Sequence, residues 1–127
     1  MILVDTSAWI DFFRGVEPLA TRVDELLEDD LCAVCGPIVT ELRRGLRSAS
    51  ERARVLPLLG ACHMLPQPDD LWETAGELGF LTRKRGATIK TLDLLIATWA
   101  LGASVPVLTR DGDFKALRRA GVPIELA

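Results

Sequence analysis

Hydrophobic positions along this chain change period repeatedly, dividing it into short apolar runs and amphipathic stretches. Met1-Ile2-Leu3-Val4 is apolar throughout and bounded by Asp5-Thr6-Ser7, the pattern of a central parallel strand buried on both faces. Ala8 to Arg14 carries Trp9, Ile10, Phe12 and Phe13 as a short helix that Gly15 ends. Pro18 opens a second helix with Leu19, Val23, Leu26 and Leu27 on one stripe, and Glu28, Asp29 and Asp30 oppose the helix dipole at its end. Leu31–Cys35 reads as a second strand. Gly36-Pro37 leads into a helix whose Ile38, Leu42 and Leu46 recur at every fourth position. Cys62–Leu65 is a third strand, closed by Pro66-Gln67-Pro68. A helix from Leu71 to about Arg85 follows, with Trp72, Ala75, Leu78 and Leu81 as its apolar side and Gly86 as its stop.

The stretch from Thr91 to Leu101 differs from all of these. From Leu92 onward it is apolar on every side at helical spacing, which predicts a helix buried against the core. Yet Asp93 sits in its first turn, beside the candidate N-cap Thr91. A buried carboxylate requires hydrogen bonds, a cation or an opening to solvent. The plain alternative is an acid at a helix start, facing the positive end of the dipole. Val105–Thr109 is a further strand, followed by Arg110-Asp111-Gly112-Asp113-Phe114, a helix to about Ala120, and a last short strand at Pro123–Leu126. Strand and helix alternate without hairpin signals. The expected fold is therefore α/β, three layers around a central parallel sheet of about four to five strands, in one domain spanning residues 1–127.

Composition narrows the function classes. With 49% hydrophobic and 26% charged residues the chain is not disordered, and its most apolar region is broken by Gly102 and Pro106, short of a membrane span. A cytoplasmic protein without a membrane segment is expected. The net charge of −3 argues against nucleic-acid binding by bulk charge, though not against local basic patches. Three cysteines, Cys32, Cys35 and Cys62, give no disulfide framework. Cys32-Ala-Val-Cys35 has metal-pair spacing, but within a strand positions three apart point to opposite faces, so these residues read as small buried hydrophobes. His63, the one histidine, has no nucleophile nearby and reads as structural.

The carboxylates carry the chemistry. Ligands of open parallel sheets bind beyond the carboxyl ends of the strands. Asp5 directly follows the first strand, and Asp111 and Asp113 follow the Val105–Thr109 strand. Asp93 starts the buried helix feeding that strand, and Glu41 lies one turn into the helix after the second strand. Four segments thus deliver acids to one rim, with Thr6, Ser7 and Thr109 as hydroxyl partners. Asp5, Asp93 and Asp111 each have a capping explanation; Glu41 has none. Gathered carboxylates repel unless a cation sits among them, and oxygen-only donors select Mg²⁺ or Mn²⁺. Such ions serve phosphodiester hydrolysis by activating water.

Four motifs in this order resemble one known family. They are Val4-Asp5-Thr6-Ser7, Thr40-Glu41-Leu42-Arg43-Arg44-Gly45, Thr91-Leu92-Asp93-Leu94-Leu95-Ile96-Ala97 and Thr109-Arg110-Asp111-Gly112-Asp113-Phe114. The chain resembles PIN-domain ribonucleases, and within them the VapC-type toxins of toxin–antitoxin pairs. The resemblance implies Asp5, Glu41, Asp93 and Asp111 as catalytic metal-binding acids, with Asp113 auxiliary and its division of roles with Asp111 open. It implies Thr6, Ser7 or Thr109 as hydroxyls that hold the acids. It further implies Mg²⁺- or Mn²⁺-dependent RNA cleavage, a homodimer, and a cognate VapB-type antitoxin whose tail blocks the cleft. Arg43, Arg44, Arg83, Lys84, Arg85, Lys90 and Arg110 are the candidates for contacting RNA. The competing readings are an aspartyl phosphotransfer protein, whose second acid is missing after Asp5, and a non-catalytic binding module whose acids only cap helices.

Overall fold

Leu3 and Val4 have no exposed surface, as an apolar run walled in on both faces requires, and the strand they belong to is the centre of the molecule. The computed structural model describes residues 1–127. In chain order the elements are β1 (Ile2–Val4), α1 (Thr6–Arg14), α2 (Leu19–Glu28), β2 (Cys32–Val34), α3 (Gly36–Arg44), α4 (Ala49–Ala61), β3 (His63–Met64), α5 (Leu71–Lys84), α6 (Thr91–Ala103), β4 (Val107–Leu108) and α7 (Gly112–Arg119). The four strands form one parallel sheet in the order β3-β2-β1-β4, flanked by helices. Leu3 pairs with Ala33 on one side and Val107 on the other. The chain steps outward from β1 to β2 to β3, then returns past β1 to lay down β4. That reversal leaves a crevice between the carboxyl ends of β1 and β4.

The expected fifth strand at Pro123–Leu126 does not form as an element. Only Leu126 bridges, to Val107, with Val107 N–H donating to the Glu125 carbonyl and Ala127 N–H to the Val107 carbonyl. Pro123 has no N–H to give a ladder, which holds this segment to a single bridge. A helix absent from the sequence reading also appears, α4. Ser48 caps it by accepting from Glu51 N–H at 3.0 Å, while the Glu51 carboxylate accepts from Arg47 N–H at 2.7 Å. This reciprocal arrangement is a variant of the capping box, and it starts a helix that continues through Pro57.

α5 departs from its expected phase. Leu71, Ala75 and Thr82 are its buried residues, whereas Trp72 and Leu81 face solvent, Trp72 at 63% exposure. Ala75 and Leu78 lie on the expected side, but at each end the stripe is one residue off, Leu71 taking the core position expected of Trp72 and Thr82 that expected of Leu81. The true stripe packs on α6, and closely: a Cβ at Gly79 would lie 2.8 Å from Leu94 Cδ1. α6 is buried almost throughout, from Asp93 and Leu94 through Ile96 to Ala100. Trp99, expected in the core, is 6% exposed and donates its indole N–H to the Leu65 carbonyl at 3.3 Å. Thr98 satisfies its hydroxyl on the Leu94 carbonyl, one turn back.

Ile96 is fully buried in this helix. Ile96→Ala is expected to cost about 2–5 kcal/mol, read as a lower midpoint in denaturant unfolding. Trp72→Ala, on the solvent side of α5, is expected to stay within about 0.5 kcal/mol. Equal costs at the two positions would refute the assigned helix faces.

Candidate metal centre

Three local rules bring the acids to the crevice. A parallel strand must hand its chain to a helix at its carboxyl end, and Asp and Thr are residues that tolerate that junction. Asp5 therefore stands between β1 and α1, and Asp111 between β4 and α7. Asp93 occupies the first turn of α6, whose N-cap is Lys90 and not a hydroxyl residue. Glu41 projects from within α3. A cleft of about 250 Å³ is lined by Asp5, Glu41, Asp93 and Asp111 together with Thr6 and Ser7. Asp113 does not line that cleft, yet one ligand oxygen each from Asp93, Asp111 and Asp113 lie within 4.8 Å of one another.

Only one of the three helix-start acids acts as a cap. Asp111 Oδ1 accepts from Asp113 N–H at 3.0 Å, the Asx bond of a true N-cap. Asp5 makes no such bond, although it holds the N-cap position. Its Oδ2 instead accepts from the hydroxyls of Ser7 at 3.0 Å and Thr109 at 2.8 Å. Those hydroxyls are themselves held, since Ser7 Oγ accepts from Arg110 N–H and Thr109 Oγ1 from Asp111 N–H, each at 2.9 Å. The β4–α7 turn and the β1–α1 turn are thereby locked together through Asp5, which is 4% exposed. Glu41 is fixed in the same manner, its Oε1 accepting from Thr6 Oγ1 at 2.8 Å.

Asp93 is the electrostatically strained member. It is 6% exposed, and its Oδ2 is buried without a hydrogen-bond donor. Burial above all pushes its carboxyl up to about 8, with the neighbouring Asp113 carboxyl and the charge of Asp111 acting in the same direction. The Lys90 ammonium opposes this from 3.6 Å, close enough for attraction but too far for a hydrogen bond. Lys90 lies 3.2 Å from Asp111 Oδ2, and that hydrogen bond is the main cause of its own raised value. At Asp111 burial acts upward, but the Asp113 N–H and the Lys90 ammonium outweigh it and hold the carboxyl below its ordinary range.

An all-oxygen donor set, a buried carboxylate oxygen without a donor, and a lysine charge drawn among the acids fit a hard divalent cation. A cation bound there would reverse the upward pressure on Asp93. The cysteines offer no competing site. Cys32 Sγ lies beside Cys62, not paired with Cys35 at a metal, and His63 Nε2 meets the carbonyl of Asp30 at 2.9 Å and its carboxylate at 3.0 Å.

The basic candidates scatter. Arg43 and Arg44 are exposed in the last turn of α3, and Lys84 lies over the exposed Phe80 ring. Arg83 is exposed beside it. Arg85 donates to the Ala120 carbonyl and so ties the end of α5 to the end of α7. Lys90 sits within the acid cluster. Arg110 lines the cleft, and its Nε donates to Asp11 Oδ2 at 3.0 Å. Asp11 was absent from the sequence reading. It is 7% exposed, and its position one turn after Ser7 on the cleft-side face of α1 was the available signal. A second groove, of about 410 Å³, shares Thr6 and Glu41 with the cleft and runs between α1, α3 and α4. Phe13, Leu42, Leu46 and Val55 supply its apolar lining, with Arg14, Arg47 and Arg54 around them.

The architecture is shared with known proteins. Residues 2–120 match the family model described as the PIN domain. Ribonuclease VapC11 of Mycobacterium tuberculosis is 30% identical over 124 residues, covering 94% of this chain and 92% of that protein. Ribonuclease VapC32 of the same organism is 36% identical over 118 residues, covering 91% and 89%. Among solved structures, FitAcB from Neisseria gonorrhoeae superposes with a TM-score of 0.70 at 25% identity, covering 98% of this chain and 96% of that one. A toxin–antitoxin complex from Klebsiella pneumoniae gives a TM-score of 0.78 at 20% identity over 100% and 97% of the two chains, a likeness of fold. A match across nearly the whole chain, on the fold that carries the acid cleft, identifies this protein as a member of the PIN-domain family.

Proposed function

We propose that this chain is a metal-dependent endoribonuclease that hydrolyses RNA phosphodiester bonds, the toxin of a type II toxin–antitoxin pair. The observation that carries the reading is the convergence of acids from four segments on one cleft, with Asp93 Oδ2 buried there and lacking any donor. Its relatives named as VapC ribonucleases supply the substrate class. Asp5, Asp93 and Asp111, with Glu41 and the nearby Asp113, are assigned to hold Mg²⁺ or Mn²⁺. The ion, when bound, supplies Lewis acidity that lowers the pKa of water and offsets phosphate charge.

The protein's own part is positioning. Ser7 and Thr109 fix one oxygen of Asp5, and Thr6 fixes one oxygen of Glu41, so both carboxylates are oriented before any ion arrives. Arg110, anchored through Nε by buried Asp11, keeps its remaining N–H groups for a phosphate at the cleft. Looped or single-stranded RNA suits this concave site, because its backbone can bend toward the acids.

The adjoining groove, with apolar lining and arginines around it, suits a peptide of mixed character. We assign it to the VapB-type antitoxin, whose tail would then lie against Glu41 at the mouth of the cleft. The reading includes a homodimer in the cytoplasm, for which exposed Trp72 and Phe80 of α5 offer apolar surface. No helix is long and apolar enough to cross a membrane.

Purified protein freed of antitoxin is expected to cut total RNA with Mg²⁺ or Mn²⁺ and to stop with EDTA. Asp93→Asn is expected to abolish cutting while its circular dichroism stays native, and Thr109→Val to lower it by about 10–100-fold. Cutting that survives Asp93→Asn would remove Asp93 from the centre. A folded wild-type protein inert on every RNA would favour the non-catalytic binding module.

The metal-free protein makes a second test possible. Asp93 has its carboxyl raised from 3.8 to about 8 by folding, so between those values the native chain holds a proton that the unfolded chain has released. Its stabilising contribution is complete below the lower value and lost as pH rises through the upper one. Thermal midpoints in chelator should therefore fall from pH 5 to pH 9. Asp93→Asn should flatten that slope and melt higher than wild type at pH 9, and Mg²⁺ should raise wild type only. Parallel pH profiles for the two proteins would show that Asp93 is not strained.

A further inference from the structure

Cys32 and Cys62 stand opposite each other across two neighbouring strands. Parallel pairing matches Ala33 with His63 and Val34 with Met64, so one step earlier the same register matches Cys32 with Cys62. Adjacent strands lie roughly 4.8 Å apart, within the Cα separation of about 4.4–6.8 Å that a disulfide spans. Residues matched in register point to the same face, and the two sulfurs are 3.5 Å apart. Contact of this kind needs side-chain rotation, not backbone movement, to become a bond. Cys32 is buried at 2% exposure, Cys62 is half-buried at the end of α4, and Cys35 is fully buried elsewhere in the core.

We propose that Cys32 and Cys62 form a reversible disulfide when the protein meets a hydroperoxide. The two thiols differ in a way that gives them distinct parts. Cys62 is half-buried, whereas Cys32 is buried and burial works against a thiolate there. Cys62, the more accessible sulfur, attacks a peroxide oxygen as its thiolate. The O–O bond breaks, Cys62 is oxidised to a sulfenic acid and, for hydrogen peroxide, one water leaves. Cys32 sulfur then attacks Cys62 sulfur, the S–O bond breaks, and the hydroxyl departs with the Cys32 proton as the second water. Two thiols and one peroxide become one disulfide and two waters. Dithiothreitol reverses the step by thiol exchange.

The bond would close a loop over residues thirty positions apart, containing all of α3 and α4. Cys32 is level with Ile2 at the amino end of β1, whereas the acids lie beyond the carboxyl ends of the strands. The staple is therefore on the edge of the sheet away from the metal cleft, and it does not depend on the nuclease reading. The expected effect is stabilisation of the fold, with a thermal midpoint raised by roughly 5–10 °C from the smaller entropy of the cross-linked unfolded chain.

The test exposes reduced protein to a small excess of hydrogen peroxide, removes the oxidant and counts thiols in denaturant. The count is expected to fall from three to one, with an intact mass lighter by two hydrogen atoms and a tryptic fragment joining Cys32 to Cys62. The thermal midpoint should rise and return to its original value with dithiothreitol. Cys35→Ser should behave as wild type, while Cys62→Ser and Cys32→Ala should each show no internal bond and no rise. Three persisting thiols, a sulfinic acid at Cys62 in wild type, or bonds only between molecules would overturn the proposal. So would an internal disulfide that includes Cys35.

Discussion

Burying like charges together is the constraint on which this molecule depends. Asp5 and Asp93 are each less than a tenth exposed, and Asp111 lies close by. In water such a gathering would disperse; here the chain holds it by divided means. Asp5 is compensated at one oxygen, by two hydroxyls that backbone N–H groups hold in turn. Asp93 is compensated incompletely, by a lysine at 3.6 Å. That difference separates a carboxylate oriented by the protein from one that still calls for positive charge. The apolar sheath of α6 makes the second state possible, because a helix with solvent on one side would let water solvate Asp93.

The acids were legible in the sequence for a topological reason. A parallel sheet sends every strand's carboxyl end to one edge, so the residue after each apolar run is placed without knowledge of any contact. Asp5 directly follows Val4, and Asp111 comes two residues after Thr109. What stayed hidden depends on pairing across the chain or on phase. The place of Asp11 one turn after Ser7 was a local signal, but its partner Arg110 is ninety-nine positions away and no local pattern encodes that pairing. The Lys90 hydrogen bond to Asp111, twenty-one positions away, stayed hidden for the same reason. The middle of the α5 face, Ala75 and Leu78, was legible, but its ends were not, because Leu71 and Trp72 are both large and apolar and one residue of phase separates core from solvent. α4 was missed although Ser48 and Glu51 have capping-box spacing, since the arginines and Pro57 hid its hydrophobic repeat.

A net charge of −3 and an RNA substrate are compatible because binding depends on local field. Five of the eighteen acids, Asp5, Glu41, Asp93, Asp111 and Asp113, gather at the site, where a metal ion would offset them. The arginines at Arg14, Arg47, Arg54 and Arg110 sit around the two connected openings. Arg110 is the most constrained of these, since buried Asp11 removes its freedom without consuming the whole guanidinium. Holding a phosphate there then costs less side-chain entropy than a free surface arginine would. The same arginines would serve an inhibitory peptide equally well.

The sheet also divides the molecule's chemistry by edge. Carboxylates collect at one end of the strands and the two matched thiols at the other, with β1 and β2 between them. Of the five acids, Glu41 alone belongs to the segment bounded by Cys32 and Cys62; Asp5, Asp93, Asp111 and Asp113 lie outside it. Within the loop that the bond would close, the route along the chain to an acid therefore runs through α3. Glu41 is tethered to α1 by the Thr6 hydroxyl, which gives that path a definite end. A staple at Cys32 and Cys62 would restrict α3 while leaving the Asp93, Asp111 and Asp113 cluster untouched. The fold thus places its stabilising chemistry where it can tighten the scaffold of the site without entering the site itself.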